Sequence, residues 1–314
     1  MSFIPKKQAF SDRIDAVALG TGERCITIGG ENVLPFHSFD APIVNKPRIA
    51  VEIRDRGLEG IDSPGIRAFY AGCGSVADMA VKAQRMEGAS AICLSFGSAD
   101  PNVEDTPVDD CVKLAQAVVE AIDVPLIVKG CGNIAKDAEL LTAVAQALQG
   151  KNVLVLSARE ENYKDIAAAV SLECDQKIGA ESAVDINLAK QLNVLLLQLG
   201  VPYGAICMDA GTAAAGYGFE YLSSTMERVK AAALMQSDRQ LQMPIVTPVA
   251  EEAWSVKESV SPEEESPDWG PADARGIEME VCTASACLVS GSDMVIMRHP
   301  EAVAAVARFI DCLM

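Results

Sequence analysis

Histidine and tryptophan are nearly absent from this chain, with two of each in 314 residues. So few histidines leave almost no room for a histidine-based metal site or a Ser-His-Asp triad. Basic charge is also short. Lys and Arg total 26 against 44 Asp and Glu, for a net charge of −18. A nucleic-acid partner would need cations to neutralise its phosphates, so nucleic acid is excluded, and an anionic membrane surface with it. Apolar runs such as Asn193–Leu199 are too short to span a bilayer. Met1–Phe10 is polar and lacks the apolar core of a signal peptide, so the expectation is a soluble, cytoplasmic protein. No CxxC pair occurs among the ten cysteines; the closest spacing is Cys282-x4-Cys287. They read as reduced core residues rather than zinc or iron–sulfur ligands. Any cluster serving this protein would sit on another chain. No GxGxxG or Walker A pattern opens any strand–helix junction, which argues against a nucleotide site.

What the chain does have is hydrophobic content, half of all residues, arranged as alternating strands and helices. Val124–Asp137, VPLIVKGCGNIAKD, shows the unit in full. Pro125–Val128 is a short apolar run suited to a buried strand. Gly130 and Gly132 allow a tight turn, and Asn133 can cap the helix that follows. Strands are expected at Arg48–Ile53, Ala89–Ser95, Pro125–Val128, Asn152–Leu156, Gln176–Ala180, Ala205–Met208, Pro244–Thr247 and Asp293–Met297. Helices follow at Ser75–Met86, Pro107–Ile122, Ala135–Leu148, Tyr163–Leu172, Ala183–Leu199, Gly218–Met235, Ala274–Ser290 and Pro300–Cys312. Eight such units fit an α/β fold, a single (βα)8 TIM barrel over residues 48–314, because closure leaves no edge strand. Residues 1–47 read as an N-terminal extension with a β-hairpin, pairing Arg24–Gly29 with Asn32–Phe36 across Gly29–Gly30.

A barrel presents its chemistry at the C-terminal ends of its strands. Those ends carry Glu52/Arg54/Asp55, Phe96–Asp100, Lys129–Asn133, Ser157–Glu160, Glu181–Ser182, Asp209–Thr212, Thr247–Glu252 and Arg298–His299. The set is mixed in sign and suited to hydrogen-bonding a large polar ligand. Lys129 could form a Schiff base; pairing with a neighbouring carboxylate is the plainer reading. Arg159-Glu160-Glu161 reads as a surface ion-pair group or a substrate clamp. The glycine-rich loop from Asp209 to Tyr221 could seat an anionic or amide-rich ligand on its amides. Glu251–Gly276 is a long acidic loop between strand seven and helix seven that holds both tryptophans, Trp254 and Trp269. It reads as a solvated insertion, or as a docking loop with exposed tryptophan anchors.

Taken together, Pro125-Leu-Ile-Val-Lys-Gly-Cys-Gly-Asn133 with Lys136–Asp137, Ile49-Ala-Val-Glu-Ile-Arg-Asp55, Asp209 to Gly216-Tyr-Gly-Phe-Glu-Tyr221 with Met226-Glu-Arg228, and Glu252–Trp254 carry a resemblance. The chain resembles the small (delta-type) subunit of the corrinoid iron–sulfur protein of the anaerobic acetyl-CoA (Wood–Ljungdahl) pathway, in its bacterial branch. It departs at Asp209-Ala-Gly-Thr, where relatives carry Asp-Pro-Thr-Thr. The resemblance implies a TIM barrel paired with a large subunit that bears the [4Fe-4S] cluster and mainly holds the corrinoid. A methyltetrahydrofolate-dependent methyltransferase would supply the methyl group, and acetyl-CoA synthase would receive it. On position, the expected corrinoid contacts are Phe96, Gly97, Lys129, Gly130, Cys131, Asn133, Ser157, Arg159, Asp209, Gly211 and Thr212. No catalytic and no metal-ligating residue is expected on this chain. Two enzymes are the alternatives: a pterin-dependent methyltransferase barrel holding its pterin through Asn133 and Asp209, and an aldolase-like barrel using Lys129.

Overall fold

The computed structural model describes residues 6–314, so the first half of the polar Met1–Phe10 segment lies outside it. Two short strands come first, β1 (Val17–Leu19) and β2 (Ile26–Ile28). The barrel strands are β3 (Arg48–Arg54), β4 (Ala89–Ser95), β5 (Leu126–Lys129), β6 (Leu154–Ala158), β7 (Lys177–Glu181), β8 (Ile206–Asp209), β9 (Val246–Thr247) and β10 (Met294–Met297). The helices are α1 (Pro64–Phe69), α2 (Val76–Ala83), α3 (Val108–Ala121), α4 (Ile134–Ala147), α5 (Tyr163–Ala167), α6 (Ile186–Leu199), α7 (Phe219–Met235), α8 (Val249–Ala253), α9 (Lys257–Val260), α10 (Ala272–Ser290) and α11 (Pro300–Leu313). All barrel pairings are parallel, in the order β8-β7-β6-β5-β4-β3-β10-β9. A parallel bridge between Met208 and Ile245 joins the two ends and closes the ring. The eight expected barrel strands are all present, each within two residues of its expected bounds.

Each strand sends alternate residues inward and outward. The outward set, including Ile49, Val51, Ile92, Leu94, Val128, Val155, Ile178 and Val295, packs under the helices in one large buried cluster. The inward set, including Ala50, Cys93, Ile127, Leu154, Cys207, Val246 and Ile296, fills the barrel lumen. Helix starts follow local chemistry. Asn133 accepts from Lys136 N at 3.1 Å to cap α4, and Asp185 caps α6 from Asn187 N at 2.7 Å.

The N-terminal hairpin exists, but its partner strand differs from the expectation. Ile26–Ile28 pairs antiparallel with Val17–Leu19, ahead of it, and Asn32–Phe36 forms a bend running into a turn. Two causes are visible. Val17, Leu19 and Ile28 are fully buried against the inward residues of the barrel, so they plug its N-terminal end. Phe36 sits at φ 58°, which no strand accommodates. The plug is tied down by Asn152, whose side-chain amide donates to Ala18 O at 3.0 Å and Gly20 O at 2.8 Å.

The Glu251–Gly276 segment is more ordered than an insertion loop. It contains part of α8, all of α9 and the start of α10. Trp254 is not an exposed anchor: its ring stacks on His299 at 5.8 Å. Gly276 makes room for it, since a Cβ there would lie 2.3 Å from the indole. Trp269 does stay 44 % exposed. The cysteines are all free, and five of them, Cys93, Cys111, Cys174, Cys207 and Cys287, are buried as expected. Cys25, Cys282 and Cys312 are exposed instead. Among the described residues, no helix is long and apolar enough to cross a membrane.

Candidate functional site

The inward rows of the barrel end in charge. Two residues beyond the inward Ala50, Ile127, Cys207 and Ile296 come Glu52, Lys129, Asp209 and Arg298; Glu181 ends β7 on the same parity. The lumen is therefore apolar until its last layer, which is polar and faces the C-terminal mouth.

Three ion pairs organise this layer. Arg298 Nε lies 2.9 Å from Glu52 Oε2, with the Glu52 side chain buried and that of Arg298 largely so. Burial pushes Glu52 upward, but the Arg298 guanidinium more than reverses this and holds it below its ordinary value. Lys129 Nζ pairs with Glu251 at 2.8 Å, from strand β5 to the segment after β9. Burial favours the neutral amine, yet Glu251 and Glu52 outweigh it and raise Lys129 above its ordinary pKa. Arg159 reaches Glu181 at 2.6 Å and donates to Gly132 O at 2.9 Å. Asp209, 2 % exposed, accepts from Gly211 N at 3.0 Å and from Ser157 Oγ at 3.4 Å. Burial, with the charge of Glu181, pushes it well above the usual carboxylate range.

The Lys129–Glu251 and Arg159–Glu181 pairs and Asp209 line a cavity of about 290 Å³, together with Gly132, Ala183, Val184, Gly211, Thr212, Pro248 and Glu252. The Thr212 hydroxyl is buried and has no hydrogen-bond partner. Of the eleven residues expected on position, the structure brings Lys129, Arg159, Asp209, Gly211 and Thr212 together in this lining. Ser157 stands behind it, on Asp209. Gly130, Cys131 and Asn133 shape the turn: Asp137 accepts from Cys131 N at 2.7 Å and Gly132 N at 2.9 Å. A Cβ on Gly130 would lie 2.4 Å from that same carboxylate. Asn133 is engaged as the α4 cap. Phe96 is fully buried in the neighbouring junction, and Gly97 is exposed beside it.

Glu181, Glu251 and Glu252 belong to the lining, although the positional choice passed over them. For Glu181 a signal was available: counting inward parity from the apolar strand residues reaches it. Arg159 does not pair with its sequence neighbours. Glu160 instead accepts from Gln191 Nε2 at 2.8 Å, and Arg159 turns to Glu181. Lys129 is paired with a carboxylate, in line with the plainer reading of that residue. His299 is wholly buried and caps α11, accepting from Glu301 N at 3.1 Å. Among the described residues, no three His, Cys, Asp or Glu side chains gather as a metal site.

Residues 16–308 match the family described as CO dehydrogenase/acetyl-CoA synthase delta subunit. The acetyl-CoA decarbonylase/synthase complex subunit delta of Archaeoglobus fulgidus is 34 % identical over 99 % of this chain and 71 % of its own length. Subunit delta 2 of Methanosarcina acetivorans is 34 % identical over 94 % of this chain and 67 % of its own. The Methanocaldococcus jannaschii subunit delta is 30 % identical over 89 % and 67 %. These three relatives are archaeal. Among solved structures, the Xanthomonas albilineans dihydropteroate synthase with 4-aminobenzoic acid superposes with a TM-score of 0.60 at 14 % identity, covering 95 % of this chain and 98 % of that one. The Vibrio fischeri dihydropteroate synthase gives 0.58 at 11 % identity, covering 95 % and 97 %. At such identities the likeness concerns the barrel alone. With most of its length matched and its barrel intact, the chain belongs to the CO dehydrogenase/acetyl-CoA synthase delta subunit family.

Proposed function

We propose that the C-terminal mouth of this barrel covers a corrinoid held mainly by a larger partner subunit, which also carries a [4Fe-4S] cluster. The observation that carries this reading is the buried, unpartnered Thr212 hydroxyl beside a rim whose two cations, Lys129 and Arg159, are each already held by a carboxylate. Such a surface suits a neutral, amide-edged ligand better than a phosphate or a carboxylate, because no free cation awaits an anion.

The residues present fit the group in a limited way. A cavity of about 290 Å³ lies at the low end of small-ligand sites, so it can take an edge or an amide arm of a macrocycle but cannot enclose one. Thr212 would bind such an amide directly. Lys129 and Arg159, each already holding a carboxylate, keep spare N–H groups for acceptors. Gly211 lets the backbone come close. The bound corrinoid would supply the cobalt centre that carries the methyl group. What this chain adds is orientation and exclusion of water over one face. In the wider cycle, a methyltetrahydrofolate-dependent methyltransferase would load the carrier, and acetyl-CoA synthase would unload it. The name of the Archaeoglobus fulgidus relative, a subunit of the acetyl-CoA decarbonylase/synthase complex, supports this setting.

Lys129 is poorly suited to an aldolase-like role. Its amine is held protonated by Glu251, and Schiff-base formation needs the neutral form. A pterin-dependent methyltransferase retains one supporting observation, the buried Asp209 carboxylate, but Asn133 is occupied as a helix cap. Isolated chain that transfers methyl from methyltetrahydrofolate to free cobalamin would favour this second reading. Purification alone and with the partner subunit tests the first. The expected result is a colourless chain without stoichiometric cobalt or iron, gaining a corrinoid spectrum only in the complex. Stoichiometric metal on the isolated chain would overturn the proposal.

A further inference from the structure

A second, larger cavity opens beside the mouth and shares no lining residue with the first. Its volume is about 550 Å³, and its walls are the turn ahead of α1 and the α9–α10 segment. That size is typical of small-molecule sites. Four carboxylates line it: Asp62, Glu263, Glu264 and Asp273. Among the described residues, Asp62, Glu263 and Glu264 form no ion pair. Asp273 is held in place by Gly65 N at 3.0 Å and by the Ser63 hydroxyl, both neutral donors. The nearest ring to it, His299 at 3.6 Å, is kept below its ordinary pKa by burial and so tends to be uncharged. The one cation in the lining, Arg298, is already bound to Glu52 through two nitrogens.

The cavity also has an apolar side, formed by Ile61, Val260, Pro262 and Trp254. A separate observation points to a ligand. Ser259, only 3 % exposed, belongs to the cavity wall, and its buried hydroxyl has no hydrogen-bond partner. A buried hydroxyl left unpaired costs free energy that an incoming N–H would relieve.

We propose that this cavity binds one organic cation, an ammonium or guanidinium on a short apolar stem. Asp273 and Ser259 receive its N–H groups, and the stem packs beside Trp254. The surrounding acidic residues supply the attraction, and an aromatic wall adds to it for a cation. The cation can come from a free amine or from a lysine or arginine side chain of a partner protein.

The test uses the full chain carrying Trp269→Phe, which leaves Trp254 as its one tryptophan, and phenethylammonium as the probe. Saturable change in Trp254 emission is expected, with phenethyl alcohol binding about tenfold more weakly or worse, since a charge-assisted hydrogen bond is worth that much. Ser259→Ala, and separately the exposed pair Glu263→Gln with Glu264→Gln, should each weaken the ammonium several-fold and leave the alcohol unmoved. Equal binding of ammonium and alcohol, or no saturable change, would overturn the proposal. In the assembled complex, a pocket closed to phenethylammonium assigns the cation to a partner side chain, whereas retained binding assigns it to a free amine.

Discussion

Lys230 and Lys129 are both largely buried lysines with two carboxylates nearby, one at each end of the barrel, and they do different work. Lys230, 2 % exposed, is fixed between Glu31 at 2.6 Å and Asp293 at 2.8 Å, whose side chains are each 10 % exposed. Asp293 also accepts from Ile245 N at 2.7 Å, so the network knits α7, the N-terminal segment and the start of β10. Lys129 faces Glu251, which is 57 % exposed, with Glu52 behind it. Closed off from water, the first lysine is part of the floor and holds it shut. The second is largely buried at the mouth, but its carboxylate partner is solvated and left free to move. The same charges become structure or recognition according to whether water can reach one of them.

The comparison can be broken first at the floor. Lys230→Met would strand two buried carboxylates and should cost about 3–5 kcal/mol in urea or thermal unfolding. A loss below about 1 kcal/mol would show the floor network to be as solvated as the mouth. Leu19→Ala, which opens a cavity under the plug, should cost about 2–5 kcal/mol without touching affinity for the partner subunit. Any selective loss of partner binding would place the plug in an interface.

Between the two ends lies Glu280, fully buried in α10 behind the mouth. Burial pushes it up from 4.5 to about 7 against N–H bonds from His299 and Arg298. A group with a raised folded pKa stabilises the native state below its unfolded pKa, and this is lost as pH rises through the folded value. Glu280→Gln should therefore remove a decline in stability between about pH 4.5 and 7. A midpoint-versus-pH curve that keeps that decline would contradict the assignment.

The smallest stability effects are expected at the mouth. Glu251→Gln should change unfolding by less than about 1 kcal/mol, since one partner is largely exposed. Thr212→Val should be close to neutral, because the lost hydroxyl has no partner to strand. Both should still weaken formation of the corrinoid-loaded complex, measured by the visible spectrum after mixing with the partner subunit. An unaltered titration with Thr212→Val would remove that hydroxyl from the contact.

The barrel was legible because its strands are near-continuous apolar runs separated by helical periodicity, as in Ala89–Ser95 and Leu126–Lys129. The hairpin was harder. Val17–Leu19 is three residues long, too short for alternation to show, and what fixes it is burial against strands far along the chain. The Glu251–Gly276 segment looked like loop because its composition is acidic and proline-rich. Its helical turns depend on Trp254 settling over Gly276 and beside His299, a tertiary contact that local pattern does not encode. At the site, position along the strand was readable, but the choice among neighbours was not. Asn133 and Cys131 lay in the right turn yet are engaged by Lys136 N and Asp137.

The floor has a kinetic consequence as well. Glu31 meets Lys230 across 199 residues of chain, and the Asn152 amide finds Ala18 across 134. Contacts this distant in sequence pay their loop-closure entropy before they return anything, so they form slowly. Closing the floor must wait for β10, because Asp293 stands at its threshold. Until then Val17, Leu19 and Ile28 have no barrel lumen to enter, and the nascent chain carries an uncovered apolar hairpin. The interval before β10 is made is the period in which that apolar surface stays uncovered and most open to aggregation.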